Sequence, residues 1–504
     1  MPGFDRNDAA NRLRGFMAAH PAVLVVENDE VLLRLEGPQC GYSLQAEPQR
    51  LVLHWWSPER NLVRRVEGLE IRGQKLRLWV RRLGQAQPSP LWLLPAGALP
   101  PRSRSRQEFR RRLLGKLRHL WPEWQPQAGD SPSHGDPWQH LHFRRGAAHL
   151  LCLALSPEEP AACQEQALAH LLLWVEDWRQ QHSRELPPRT RLLLPSPGLR
   201  AAALRREGLR PERRPELYQL DEDGNPQPCE PLPLSALASG LARAPALAAP
   251  FAPAALDLLA RIHSLCPAAQ LLHGPRGGAS FRLHGLEFAR QARGDECASA
   301  AFVFGHGREL SPLNSANFAL FEDWLRELAR QRQPLGSPQS PWFSAQPEAW
   351  LQACLLQQLP GLAPAWDLGC LYSQVSLSAA QDSMRLDWLF LHRGGRLGVA
   401  ELKAGEDPHF ALQALDYWLR IRQQHLDGVL ERQGYFPGRA ISSLPPCLYL
   451  IAPALYRHPR LATLLAAFDP EIPVAQWLVN ADWRRQVQIL ERRATKSAAA
   501  AAVD

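Results

Sequence analysis

Between residues 20 and 100 apolar and polar positions alternate in short runs: AVLVVEN, EVLLRLEG, YSLQAE, RLVLHWW, NLVRRVEGLEIRG and QKLRLWVRRL. A period of two sends alternate side chains to opposite faces of a strand. The runs therefore predict an antiparallel β-meander and a β-rich N-terminal domain over 1–100. The proline-rich LLPAGALPPRS closes it. The period then lengthens. In RSRSRQEFRRRLLGKLRHLWPEW, Phe109, Leu113, Leu117 and Leu120 recur at helical spacing, and arginine fills most of the opposite face. Strands LHFRR, HLLCLALS, RLLLPS and ELYQL, interleaved with helices CQEQALAHLLLWVEDWRQQH and RAAALRREG, predict an α/β domain over 101–231.

An Ala/Pro-rich linker over 232–252 leads into a small α+β domain, 245–335. Its helices are AALDLLARIHSL and NFALFEDWLRELARQR, and QLLHG, SFRLHGLEFARQA and AAFVFGHG read as strands. Gly274, Gly277 and Gly278 sit in a hairpin-like turn, not a phosphate loop, because a strand follows where a phosphate loop needs a helix. QPLGSPQSP then opens the last domain, 341–496, ahead of a tail at 497–504 that reads as disordered. That domain runs helix (QPEAWLQACLLQQLPGLAPAW), strand (DLGCLYSQVSLSAA), two strands joined by HRGGR (SMRLDWLFLHRGGRLGVAELKA), helix (EDPHFALQALDYWLRIRQQH) and strand (PPCLYLIAP). The predicted fold class is multidomain α/β and α+β.

Composition narrows the function classes. A chain of 504 residues is too long for one core, and no run of 18 apolar residues suggests a membrane span. The N-terminus carries acidic residues and no apolar h-region, so a cytoplasmic protein without a signal peptide is expected. The nine cysteines form no CxxC pair, which predicts buried free thiols, no structural zinc and no iron–sulfur cluster. Net charge is +8, and residues 1–120 carry 21 Lys/Arg against 11 Asp/Glu, or +10, leaving −2 for the rest. A polyanion-binding region has that asymmetry, and so does an ordinary arginine-rich surface. Of 58 basic residues only Lys75, Lys116, Lys403 and Lys496 are lysines. A chain that writes arginine almost everywhere has lysine at 403.

Glu401 and Lys403, two apart on a strand, leave the same face. Asp387 lies on the partner strand. A two-residue Gly394–Gly395 loop would set it against Leu402. A three-residue loop centred on Gly394, with Gly395 at positive φ, would set it against Glu401. Two carboxylates beside a lysine suit a hard divalent ion, magnesium or manganese, that polarises a phosphodiester and acidifies a water. The lysine can position that water or offset charge developing on the phosphate. An ion pair of Lys403 with either acid is the alternative use of the same residues.

The pattern D-x13-E-x-K across a hairpin, followed by Gln413 and Tyr417 in QALDY, resembles the PD-(D/E)XK nuclease superfamily, RecB-like branch, over about 341–480. Leu386 stands in place of the proline in the motif's name. The resemblance implies a restriction-endonuclease-like core with Asp387, Glu401 and Lys403 catalytic. Asp387 and Glu401 would hold Mg2+ or Mn2+ with the backbone carbonyl of Leu402, and Glu348 stands where the superfamily often has a glutamate. Gln413 and Tyr417 would contact or orient substrate phosphates, although as an i, i+4 pair they also suit ordinary packing. His409 reads as a surface or capping residue.

Residues 103–220 echo this element order, with Arg145–Gly146 over Arg393–Gly394. On that register Asp387, Glu401 and Lys403 fall on Gln139, Leu153 and Leu155, so this copy would lack metal ligands. The leading expectation is a metal-dependent nuclease acting on nucleic acid, DNA before RNA, in repair, restriction or defence. The basic helix (Arg110, Arg111, Arg112) would bind substrate. The alternatives are a non-catalytic nucleic-acid-binding or scaffold protein that retains the fold, and a component active only with a partner subunit.

Overall fold

The computed structural model describes residues 5–495 except 21, 28–29, 38–39, 48–49, 57–60, 74, 82–87, 96–100, 128–136, 230–232, 238–239, 246–249, 275–277, 293–300, 307–308, 339 and 378–383. The tail at 497–504, Gly277 and parts of the 232–252 linker lie outside the described residues. Two compact units divide the chain. One is Met1–Ala167 with His182–Leu199 and Glu216–Cys229, and the other is Leu168–Gln181 with Arg200–Pro215 and Glu230–Asp504.

The first unit opens with a helix that the alternation gave no sign of, α1 (Arg6–Ala19), whose first turn is capped by Asp5 accepting from the amides of Asn7 and Asp8. Seven antiparallel strands follow: β1 (Val23–Glu27), β2 (Glu30–Leu35), β3 (Gly41–Glu47), β4 (Arg50–Trp56), β5 (Asn61–Arg72), β6 (Lys75–Arg81) and β7 (Ser89–Pro95). Their order, β2-β1-β7-β6-β5-β4-β3, corrects the simple meander. The β1–β2 hairpin joins the far side of β7, a strand that the alternating runs did not include and whose last residues, Leu93–Pro95, fall in the stretch read as a proline-rich boundary. Leu13 and Phe16 of α1 share one core with Leu51, Leu53, Trp55, Leu78 and Leu93.

The second sheet is built from β8 (Gln125–Pro126), β9 (Trp138–Arg145), β10 (Ala148–Leu155), β11 (Arg189–Pro195), β12 (Glu216–Leu220) and β13 (Pro226–Pro228), in the order β13-β12-β11-β10-β9-β8. Helix α2 (Pro101–Leu120) precedes it, and α3 (Ala161–Gln181) and α4 (Ser196–Glu207) connect β10 to β11 and β11 to β12. Phe109, Leu113 and Leu117 of α2 pack on Leu141, Phe143, Cys152 and Ala154. Leu120 is 43% exposed, and Trp121 takes the next inward place instead.

In the second unit, α5 (Leu234–Leu237) and α6 (Pro253–Leu265) lead into a five-stranded antiparallel sheet: β14 (Ala269–His273), β15 (Ala279–Leu283), β16 (Leu286–Gln291), β17 (Phe302–His306) and β18 (Glu309–Leu313). SFRLHGLEFARQA is thus a hairpin and not one strand, turning at His284 and Gly285, both at positive φ. Gly274 and Gly278 close the β14–β15 hairpin. After α7 (Phe318–Gln331), Arg332 is 0% exposed and donates to the carbonyls of Leu283, His284, Trp342 and Ala345. His284 stacks on Trp350 at 4.9 Å, and a β-carbon on Gly285 would collide with the Ala349 carbonyl. The hairpin tip therefore presses on the start of the next domain's first long helix.

That domain contains α8 (Pro341–Ser344), α9 (Pro347–Leu362), β19 (Trp366–Ser376), β20 (Arg385–His392), β21 (Leu397–Leu402), α10 (Phe410–Leu426), α11 (Val429–Arg432), β22 (Cys447–Pro453), α12 (Leu461–Ala466), β23 (Val474–Val479) and β24 (Ile489–Ala494). The strands lie in chain order, β19-β20-β21-β22-β23-β24. β19–β20–β21 and β23–β24 pair antiparallel, and β21–β22–β23 pair parallel. The second sheet has the same plan: antiparallel β8–β9–β10, parallel β10–β11–β12, antiparallel β12–β13. Trp350, Leu351 and Leu355 of α9 bury one face against Trp388, Phe390, Ala400 and Leu402. α10 packs against β21 and β22. Among the described residues no helix is long and apolar enough to cross a membrane, and the described cysteines are free.

Candidate active site

The hairpin between β20 and β21 decides which side chains meet. His392 pairs with Arg396 around the residues 393–395, Gly395 has φ +81°, and Trp388 stands opposite Ala400. The loop has three residues, and continuing the register brings Asp387 opposite Glu401. The main-chain ladder stops there because the Leu402 amide donates to Asp387 Oδ2 at 2.8 Å.

Glu401 is 3% exposed. The charge of the facing Asp387 carboxyl acts on it, and Glu401 Oε2 is buried with no protein partner. Burial, and then the neighbouring charge of Asp387, push the Glu401 carboxyl well above the ordinary range. Burial pushes Asp387 up to about 6, against the pull of its bonds from Leu402 and Gln374. Lys403 Nζ lies 3.7 Å from Glu401 and 3.4 Å from Asp407. Burial works against its charge, but Glu401 and Asp407 outweigh it and its pKa is raised.

Helix α9 brings Glu348 to the same end, where its Oε1 accepts a long bond of 3.4 Å from the Ala404 amide and its charge acts on Asp387 and Lys403. One turn on, Gln352 donates to the Asp387 carbonyl at 3.1 Å. From α10, Gln413 donates to the Tyr417 hydroxyl at 2.9 Å. Tyr417 is buried, and its pKa is raised by burial and then by Glu401. His409 occupies the N-cap position of α10 without a side-chain cap bond. It is half-buried, its Nε2 lacks a protein partner, and burial lowers its pKa to about 4.

The structure therefore brings together Asp387, Glu401, Lys403, Glu348, Gln413 and Tyr417. Arg110, Arg111 and Arg112 belong to the other compact unit. Arg110 spends a guanidinium N–H on the His140 carbonyl at 2.7 Å, whereas Arg111 and Arg112 are exposed. Asp407, Gln352 and Gln374 were not singled out from the sequence. Asp407 could have been, as an acid four residues beyond Lys403, and so could Gln352, one helical turn from Glu348.

The described residues contain no cluster of three or more His, Cys, Asp or Glu arranged to hold a metal. The donor set here is two facing carboxylates with Glu348 at hand. A buried carboxylate oxygen without a partner is costly unless something positive meets it, and hard oxygen donors suit a small divalent cation. The residues fit such an ion.

In the second sheet the corresponding hairpin loop has two residues, Arg145 pairing with Ala148. Counted from the closing pair, His140, Leu153 and Leu155 stand where Asp387, Glu401 and Lys403 do. This corrects Gln139 to His140, which pairs with Leu153. Leu153 and Leu155 are fully buried, so this sheet has no carboxylate pair at the equivalent place.

No family model matches this chain, and no curated protein matches it. Among solved structures, a repair endonuclease from Pyrococcus abyssi is similar at 10% identity over 39% of this chain and 88% of that one, with a TM-score of 0.15. The EndoMS–dsDNA2 complex is similar at 13% identity over 37% of this chain and 84% of that one, with a TM-score of 0.14. With scores this low, the functional reading rests on the site itself.

Proposed function

We propose that the chain is a metal-dependent nuclease that hydrolyses phosphodiester bonds, with DNA as the substrate and Asp387, Glu401 and Lys403 as its reacting centre. One observation carries the reading: the buried Glu401 oxygen without a partner, facing a second carboxyl and flanked by a lysine. A buried pair of like charges is unfavourable for a merely structural purpose. Mg2+ or Mn2+ would be held by Asp387 and Glu401, with the Leu402 carbonyl and Glu348 as further oxygens by the superfamily resemblance. When bound it supplies Lewis acidity toward a phosphoryl oxygen and a more acidic water.

The chain's own residues account for the rest. Lys403, kept protonated by Glu401 and Asp407, cannot take a proton from water near neutral pH. Its part is to donate hydrogen bonds, orienting the attacking water or meeting charge on the phosphate. Gln413 and Tyr417 form a buried bonded pair beside the carboxylates, which suits them to hold that wall of the site in place.

The test is incubation of the purified protein with labelled single- and double-stranded DNA and RNA, with Mg2+, Mn2+ or chelator, alongside Lys403→Ala. Cation-dependent cleavage that disappears in the variant is expected, by a hundred- to thousand-fold or more, on the order found when one transition-state interaction is removed. Cleavage by Lys403→Ala at the wild-type rate would overturn the proposal.

A further inference from the structure

Asp387 is held by two residues that the reaction chemistry does not require. In the β19–β20 ladder, Ser373 pairs with Trp388 and Val375 with Leu386, so the residue between them, Gln374, stands against Asp387. At that point Gln374 adopts φ +55°, a left-handed conformation that an L side chain rarely holds inside a strand. The consequence is visible in its side chain. Gln374 Nε2 donates to Asp387 Oδ1 at 2.8 Å and to Gln352 Oε1 at 3.3 Å. Gln352, buried on α9, donates in turn to the main-chain carbonyl of Asp387 at 3.1 Å. With the Leu402 amide on Oδ2 at 2.8 Å, the carboxylate plane is fixed by one donor on each oxygen, and the residue's own backbone is tied to the neighbouring helix.

A left-handed non-glycine residue persists only where its surroundings over-determine it, and such strain collects at functional sites. The β19–β20 register is the same on both sides of 374, so an extended residue there would have continued the ladder. What the unusual backbone achieves is an amide aimed at a carboxylate. We propose that Gln374 and Gln352 form a positioning bridge that holds Asp387 turned toward Glu401 and so sets the affinity of the site for a divalent cation. The proposal rests on the metal-dependent reading above. Neither glutamine touches the reacting atoms. They act through Asp387, as outer ligand-orienting groups do in metal sites generally, where losing one weakens metal binding by about 10- to 100-fold.

The experiment is a Mn2+ binding isotherm on the metal-free full chain, read by the loss of the free Mn2+ paramagnetic signal, together with thermal unfolding without metal. Gln374→Gly keeps a residue at ease at positive φ and removes the amide. Gln374→Asn, also tolerant of that region, keeps an amide one methylene too short to reach Asp387. Both should raise the Mn2+ Kd about tenfold or more while the metal-free unfolding temperature stays within a few degrees of wild type. Cleavage should recover toward the wild-type kcat at saturating Mn2+. Gln352→Leu should weaken binding less, and the double variant should lose less than the sum, because the two glutamines share one network. An unchanged Kd in whichever Gln374 variant folds would overturn the bridge, as would a kcat that stays low at saturating metal. Wild type that binds no Mn2+ would sink the metal-dependent reading and this proposal with it, a failure distinct from variants that bind like wild type.

Discussion

Replacing Asp387 by Asn should stabilise the metal-free protein, and the gain should grow with pH. The folded protein holds the Asp387 proton more tightly than the unfolded chain does, because burial pushes its carboxyl up to about 6 from an ordinary value near 3.8. The stability from that proton is full below pH ~4 and lost as pH rises through about 6. A difference of about two units, at about 1.4 kcal/mol each, makes the loss about 3 kcal/mol by pH 7.5. Asn carries no titrating proton and escapes the loss, although one of the two donors from Leu402 and Gln374 then meets an amide NH2. Near pH 4 the two proteins should be similar in stability, with the variant slightly lower. By pH 7.5 the variant should have gained about 3 kcal/mol on wild type. Urea titrations in chelator would supply the difference, with amide exchange in β20 and β21 reporting this sheet in particular. Mg2+ should stabilise wild type, by about 2.7 kcal/mol at a hundred times its Kd, and do little for the variant. A stability difference that is flat in pH, or that shrinks as pH rises, would refute the assignment of Asp387 as a buried carboxyl held at a cost.

Three further outcomes follow from particular side chains. Lys403→Arg should fail to restore cleavage to Lys403→Ala, since a planar fork cannot replace a compact ammonium 3.7 Å from Glu401; recovered turnover would count against that role. Gly398→Ala puts a β-carbon into the Phe390 ring opposite, so it should cost roughly 1–3 kcal/mol of stability by overpacking, read as a lowered unfolding midpoint. Arg111→Ala with Arg112→Ala should weaken nucleic-acid binding across sequences and flatten its salt dependence by about 0.9 for each phosphate no longer neutralised, whereas Arg110→Ala, bonded to the His140 carbonyl, should chiefly lower stability.

Much of the C-terminal domain was legible because its signals are local. Asp387, Glu401 and Lys403 stand out as charges in apolar strands, and the double glycine allowed the three-residue loop that turns Asp387 toward Glu401. Gln374 was not legible, since its role comes from a positive φ in a strand that no residue type announces. Nor was β7, whose last residues Leu93–Pro95 fall in the stretch read as a proline-rich boundary and whose Pro90 pairs with Trp79 on one side only, one residue beyond the β1 ladder. Its neighbours Leu91 and Leu93, both fully buried, were the available signal. The shared plan of the two mixed sheets was readable from element order, but the exact facing residue was not. One loop is a residue shorter, which shifts the match from Gln139 to His140.

The buried Arg332 has a bearing on whether the C-terminal domain can be severed from the chain. Its four carbonyl partners come from both sides of the junction, two from the β15–β16 tip and two from Trp342 and Ala345. A fragment beginning at Pro341 would lose the guanidinium, orphan two carbonyls and uncover the Trp350 ring on which His284 stacks. The start of α9 would fray, and Glu348 stands on its first turn. The five-stranded sheet then acts as a splint for the helix that reaches the carboxylates. Domain-swapped chimeras joined at this seam should keep activity only when both halves of the joint travel together.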